Sequence, residues 1–282
     1  MNISIIGGDL RIVELAKTLR KHKENQIYIY GMEECEDIKD INQSENLQQI
    51  VEKSEEIITS IPLSKDGITI NSPYSNKKIY IKDLFEYSKN KKIITGNITD
   101  EIKSNIKDLN NNKIIDVMEL EELAILNAIP TAEGAIQIAM QKSKITIHNS
   151  SCLVMGFGRI GKILAKMLNG LGANVFCEAR KKKDIAYIKS YGYNAIELSK
   201  LNDYLNKFDF IFNTIPYIIL NKDNLNFVNK ECFIIDLASK PGGIDFDYAN
   251  KLNLQTEWAL ALPGKVAPKT AANYLYEIIQ EV

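Results

Sequence analysis

The run Leu153-Val154-Met155-Gly156-Phe157-Gly158-Arg159-Ile160-Gly161 constrains this chain more than any other segment, because an apolar strand enters GxGxxG and leaves as an amphipathic helix. Ile160, Ile163, Leu164, Met167, Leu168 and Leu171 recur on one face of that helix. Each glycine has a mechanical task. Gly156 makes a tight turn, Gly158 lets the backbone approach a pyrophosphate, and Gly161 lets the helix pack closely on the strand. The helix start, with the amides around Arg159 and Ile160 and the positive end of the dipole, then faces the phosphates. A tight turn alone would account for the glycines. With the strand before, the helix after and a further strand all in place, the segment reads as a dinucleotide site.

The next strand, 173–180, decides which dinucleotide. In NAD enzymes an acidic side chain about 20 residues past the glycine motif bonds the ribose 2′-hydroxyl and repels a 2′-phosphate. Here that position falls on or beside Ala179, and Arg180-Lys181-Lys182-Lys183 follows. Arginine forks onto phosphate oxygens, so Arg180 and Lys181 favour NADP, whereas Lys182 and Lys183 read equally well as a solvated helix start. Glu178 stands one residue earlier and, by strand alternation, points to the face opposite Ala179. A strand end shifted by one residue would put Glu178 on the ribose instead, and the cofactor would be NAD. Two later strand ends add to the site: Asn213-Thr214-Ile215-Pro216 passes over the cofactor, and Ile235 through Gly243 approaches the nicotinamide. Thr214, Pro216 and Ala238 therefore join the cofactor residues.

At 282 residues the chain is long enough for two domains. Short apolar strands at 3–6, 27–30, 57–60, 93–95 and 114–117 alternate with helical stretches, and the alternation restarts at 152–155, 174–177, 210–213, 233–236 and 256–260. Such alternation implies crossovers and mostly parallel sheets, so the expected fold is α/β, two doubly wound Rossmann-like domains with an interdomain cleft. Residues 63–83 form a turn-rich interruption, either a loop or a small hairpin pairing 67–70 with 78–81. A helical pattern from Glu119 is expected to break or kink at Ile129-Pro130, and a second helix, 131–142, to begin with Thr131 as N-cap. The resulting division is a substrate domain, 1–130, and an NADP-binding Rossmann domain with its connector helix, 131–267. The final helix, 268–282, carries Ala271, Tyr274, Leu275 and Ile278 at helical spacing and is expected to return to the first domain.

Composition excludes more than it suggests. With 35 basic and 36 acidic side chains, no net field favours nucleic acid or an anionic membrane. Cys35, Cys152, Cys177 and Cys232 lie far apart without a CxxC pair, so no metal site is expected and the thiols read as free and buried. No basic leader opens the sequence, and no apolar stretch is read as reaching the ~20 residues that span a bilayer, so the expected location is the cytoplasm.

The series Gly7-Gly8-Asp9, Ile129-Pro130-Thr131-Ala132-Glu133-Gly134, Gly156 through Gly161, Leu171-Gly172-Ala173-Asn174-Val175, Asn213-Thr214-Ile215-Pro216, Asp236-Leu237-Ala238-Ser239-Lys240-Pro241-Gly242-Gly243 and Leu262 through Ala271 resembles the family of dipicolinate synthase A-type subunits. The likeness covers nearly the whole chain in order, and its last two motifs are the specific ones. It implies dehydrogenation of dihydrodipicolinate to pyridine-2,6-dicarboxylate in the mother cell of a spore-forming bacterium. It also implies NADP, a flavoprotein-like B-type partner of the same dipicolinate synthase, and an oligomeric assembly. Glu178 departs from the small residue expected there.

Turning a dihydropyridine into a pyridine removes a hydride and a proton, so the protein mainly has to position its substrate. Arg11, Thr131, Lys240 and Thr270 are candidate partners of the substrate carboxylates, and Glu133, Ser239 and Lys269 are candidate catalytic groups. Glu133, in the first turn of the expected connector helix, is either the proton acceptor or a complement to the helix dipole. His148 reads as structural and Asp9 as the cap of the first helix. Two other readings stay open. One is another dehydrogenase of the shikimate or alanine dehydrogenase type, and the other is a protein that binds NADP without turnover.

Overall fold

The computed structural model describes residues 1–106 and 111–282. It divides into two compact units, Met1–Asn127 with Ala267–Val282, and Ala128–Val266. The first unit runs β1 (Asn2–Ile6), α1 (Leu10–Arg20), β2 (Gln26–Tyr30), β3 (Asn42–Gln43), α2 (Leu47–Lys53), β4 (Glu56–Thr59), α3 (Ile81–Tyr87), β5 (Lys92–Thr95), α4 (Asp100–Asn105) and β6 (Lys113–Asp116). Helix α5 (Glu121–Lys142) then carries the chain into the second unit. That unit holds β7 (Ser151–Met155), α6 (Arg159–Gly170), β8 (Asn174–Ala179), α7 (Lys182–Ser190), β9 (Asn194–Glu197) and β10 (Phe210–Asn213). It closes with α8 (Lys222–Leu225), β11 (Phe233–Asp236), α9 (Phe246–Lys251), β12 (Gln255–Trp258) and α10 (Leu262–Val266), and α11 (Pro268–Glu281) belongs to the first unit.

Each unit has a parallel six-stranded sheet, ordered β3-β2-β1-β4-β5-β6 in the first and β12-β11-β10-β7-β8-β9 in the second. The central strands are largely apolar because helices cover both faces of a doubly wound sheet. Within β7, Cys152 and Val154 enter one core, and Leu153 and Met155 enter the core on the other face. The short strands β3 and β9 leave little trace in the sequence. Only Ala195 and Ile196 give β9 any apolar character, and β3 is a polar pair held by its neighbour β2. The turn-rich segment makes a minimal hairpin, with the Ile70 amide donating to Ile79 O (2.8 Å) and the Ile81 amide to Ile68 O (3.0 Å).

The expected break at Pro130 does not occur, since α5 is one helix of 22 residues with Pro130 inside it. A proline in a helix interior forfeits a hydrogen bond and costs about 3 kcal/mol. Burial of Ala128, Ala132, Ala135 and Ala139 along the same helix holds it together regardless. Thr131 is therefore not an N-cap, and Glu133 lies mid-helix. Continuity also overturns the expectation about apolar length. The merged helix has a window of mean hydropathy 1.3, long and apolar enough to cross a membrane, yet 56% of that window is buried within the fold, as in a core helix.

As the spacing predicts, α11 returns to the first unit. Ala272, Leu275, Ile278 and Ile279 join Ile12, Leu15, Ala16 and Leu19 of α1 in one core. Tyr276 stacks on His22 with ring centroids 5.4 Å apart, and its hydroxyl lies 2.8 Å from Nε2. Leu275 is 2% exposed, so Leu275→Ala should lower stability by about 2–5 kcal/mol, as large-to-small core changes do. The urea midpoint reads this loss. A change under about 1 kcal/mol would mean that α11 is not part of that core.

Candidate dinucleotide site

In both sheets the strand order reverses beside the first strand, between β1 and β4 and between β7 and β10. Open α/β sheets bind ligands beyond the carboxyl ends of strands at such a reversal. In the first unit that space is engaged by its own chain. The Gly8 amide donates to Asn71 O (3.0 Å), and the Asp9 carboxylate caps α1 through the Arg11 amide (3.0 Å). In the second unit no side chain caps α6, whose N-cap is Gly158.

The glycine loop is built as the sequence requires. Gly156 adopts φ +86°, and its amide donates to Glu178 O (3.1 Å). A side chain at Gly161 would strike the Gly156 carbonyl, so the helix packs directly on the turn. At Gly158, by contrast, a Cβ would meet no protein atom within 4 Å. That open backbone before an uncapped helix fits a pyrophosphate, whose negative charge complements the helix end. Thr214 closes the other side by donating to Met155 O from both its amide (3.0 Å) and its hydroxyl (2.9 Å). Pro216 is exposed in the same loop.

A cavity of about 430 Å³ opens beside the loop, lined among others by Gly156, Glu178, Arg180, Lys181, Leu198 and Tyr217. Arg180 and Lys181 are exposed at its rim, and Tyr217 is 72% exposed. Glu178 and Ala179 lie on opposite sides of β8: Ala179 joins the core that contains Cys177, while Glu178 follows the face of Phe176. The Glu178 carboxyl, 1% exposed, accepts from the Gly156 amide at 3.3 Å. Burial pushes this carboxyl above the usual range, although the Gly156 bond and the Arg180 charge pull it down.

Beyond β11, Ala238 is buried while Ser239 and Lys240 are exposed. Two residues that the sequence placed in these strand-end segments without a role of their own shape this edge. Asn213 and Asp236 are register partners at the ends of β10 and β11, both fully buried, and the Asn213 side-chain amide donates to Asp236 Oδ1 at 2.7 Å. A polar residue ending each of two apolar strands was the available signal.

The remaining candidates lie in both units. Arg11 is 5% exposed and spends its guanidinium on Asp9 (2.8 Å) and the Ile61 carbonyl, so its charge is committed inside the first unit. Glu133 lines an apolar groove with Met140, Met167 and Leu171, beside the far end of α6 from the glycine loop. Thr131 is half-buried and Glu133 exposed. Two residues apart on a continuous helix, they point about 200° apart. Lys269 and Thr270 are exposed in the first turn of α11. His148 meets the Leu171 carbonyl at 3.2 Å, a structural contact. All four cysteines are free and buried, and burial raises Cys152 to about 11 and Cys177 to about 12, which leaves them inert as nucleophiles. Among the described residues no cluster of His, Cys, Asp or Glu is placed to hold a metal.

Two doubly wound units, one with its glycine loop open at the strand reversal, define a dehydrogenase-type protein that binds a nicotinamide dinucleotide. Residues 128–239 match the NAD binding domain of D-isomer specific 2-hydroxyacid dehydrogenases, and residues 2–118 match the N-terminal domain of dipicolinate synthase A-type subunits. The A-type subunit of dipicolinate synthase from Bacillus subtilis (strain 168) is 32% identical over 284 residues, covering 100% of this chain and 95% of that protein. The crystal structure of its counterpart from Bacillus halodurans is similar with a TM-score of 0.89 and 30% identity, covering 99% of this chain and 96% of its own. An L-alanine dehydrogenase structure, 13% identical with a TM-score of 0.67 over 98% of this chain and 87% of its own, shares the fold. The chain belongs to the family of dipicolinate synthase A-type subunits.

The raised Glu178 carboxyl has a pH signature. A carboxyl with a higher pKa folded than unfolded binds more protons when folded. Its contribution is most favourable below the ordinary glutamate pKa and is lost as pH rises through the folded value. Glu178→Gln removes that dependence, so the variant should gain stability relative to the wild type between about pH 4 and about pH 8. Urea midpoints at both ends measure the difference. A flat or falling difference would show that folding does not favour the protonated acid.

Proposed function

We propose that this chain is the dehydrogenase component that converts dihydrodipicolinate to dipicolinate with NADP, in the cytoplasm of a spore former's mother cell. A flavoprotein-like B-type partner accompanies it, and the assembly is oligomeric. One observation carries the cofactor choice: Arg180 and Lys181 stand exposed at the rim of the adenosine cavity, while Glu178 is turned in to the Gly156 amide. A guanidinium there forks onto a 2′-phosphate, and the Glu178 carboxyl is engaged by the Gly156 amide. Likeness to relatives along the whole chain supports the reaction.

Bound NADP supplies the hydride acceptor. The chain's own residues hold the dinucleotide and the substrate. The Gly158 backbone and the start of α6 take the pyrophosphate, Thr214, Pro216 and Ala238 border the nicotinamide half, and Ser239 and Lys240 reach from the loop after β11 toward the substrate. Each substrate carboxylate must exchange water for charge-assisted hydrogen bonds. Lys269 and Thr270 suit that task because they open the 14-residue helix α11, which has no side-chain cap. Thr131 is kept only as a side-chain donor, since the continuous α5 offers no helix-start amides there. Glu133 and Arg11 leave the set, one lining the groove by distal α6 and the other neutralising Asp9.

Incubated with dihydrodipicolinate and NADP, with and without the B-type partner, the chain is expected to form dipicolinate and NADPH in equal amounts. Turnover of shikimate or alanine instead would assign the other dehydrogenase class, and NADP binding without turnover under any condition would make this a non-catalytic component. In a second test, Arg180→Ala should weaken NADP binding by about 1–3 kcal/mol, the order of a charge-assisted bond, and leave NAD nearly unchanged by calorimetry. Equal losses for both dinucleotides would remove Arg180 from the 2′-phosphate.

A further inference from the structure

The buried Asn213 and Asp236 send almost all their hydrogen bonds into loops rather than strands. Asp236 accepts from the Asn213 side chain (2.7 Å), the Ala238 amide (3.0 Å) and the Gly243 amide (2.7 Å). Asn213 holds Ile215 from both sides, accepting from its amide (3.1 Å) and donating to its carbonyl (3.0 Å). Trp258 clamps the same loop from outside, its Nε1 donating to Ala238 O (2.9 Å) and its ring stacked on Phe246 at 5.5 Å. The exposed Ser239 and Lys240 are thus carried on a span pinned at Ala238 and at Gly243.

Resting on the dinucleotide reading above, we propose that Asn213 and Asp236 form a positioning pair that sets the shape of loops 214–217 and 237–243 for the nicotinamide half of the cofactor. A carboxylate suits this point because it is acceptor-only with about four lone-pair sites, enough for three converging N–H donors. An amide at position 236 turns one of those acceptors into a donor and aims it at another donor. The loss falls on one loop's attachment, since neither β10 nor β11 depends on these side chains for its ladder. The adenosine half is held by a separate set, Arg180, Lys181 and the cavity wall on β8. The two halves of the ligand therefore report separately on the two sets of residues.

Calorimetric titration of the full chain with NADP and with 2′-phospho-AMP, its adenosine half, tests the pair. Asp236→Asn is expected to weaken NADP by about tenfold or more while 2′-phospho-AMP stays within about twofold of wild type. Should that variant not fold, Trp258→Phe keeps the aromatic stack and removes only the bond to Ala238. It is expected to weaken NADP by about threefold and leave the fragment unchanged. A wild type that binds both ligands beside a folded variant that keeps both, or loses both by the same factor, overturns the positioning role alone. A wild type that binds neither ligand defeats the dinucleotide reading and this inference with it.

Discussion

Strands β7 and β10 lie side by side, but the connections that leave them run to opposite faces of the sheet, so no segment of the sheet's own layers covers the ground beyond their ends. That constraint creates the site, and the rest of the second unit serves it. Apolar residues on both faces of β7 anchor the strand between two cores. The Gly156 turn then brings the start of α6 over the gap, with backbone groups pointing where an anion would sit. Two packed faces make the edge stiff, and stiffness lets a few backbone amides act as a receptor.

The first unit repeats the topology and reaches the opposite result. Its β1/β4 reversal is equivalent, yet Asp9 stands at the N-cap of α1 where Gly158 stands at the N-cap of α6. A carboxylate fixed at a helix start supplies from within the negative charge that a phosphate would bring. Arg11 then neutralises Asp9, and the small hairpin behind Asn71 approaches the glycine turn. Two units of one architecture thus differ at a single cap: the start of α6 stays open to an anion, whereas the start of α1 carries its own carboxylate.

Three acids near strand ends, Asp236, Glu178 and Asp9, accept from backbone amides. Asp236 binds Ala238 and Gly243, Glu178 binds Gly156, and Asp9 binds Arg11 at its amide and again at its guanidinium. Each sits where a strand gives way to a loop, the place where backbone donors lose their ladder partners and need acceptors. Carboxylates at these points fix loop shape without filling the crevice that the loops surround.

The sequence by itself determined the α/β alternation, the dinucleotide-binding half and the side of β8 on which Glu178 falls, because strand periodicity and the GxGxxG spacing are local properties of the chain. The return of α11 was legible for the same reason, since its apolar residues recur at helical spacing and needed a partner face. Only the tertiary structure decided that α5 runs unbroken through Pro130, because burial of alanines on its neighbours outweighs a local preference to break. That continuity took the helix-start amides from Thr131 and turned Glu133 toward the groove beside distal α6. The pairing of Asn213 with Asp236 likewise waited on strand register, which places residues 23 apart in sequence at bonding distance. Cap, turn and period act within a few residues, whereas helix continuity and the meeting of two loops depend on packing among segments distant in the chain.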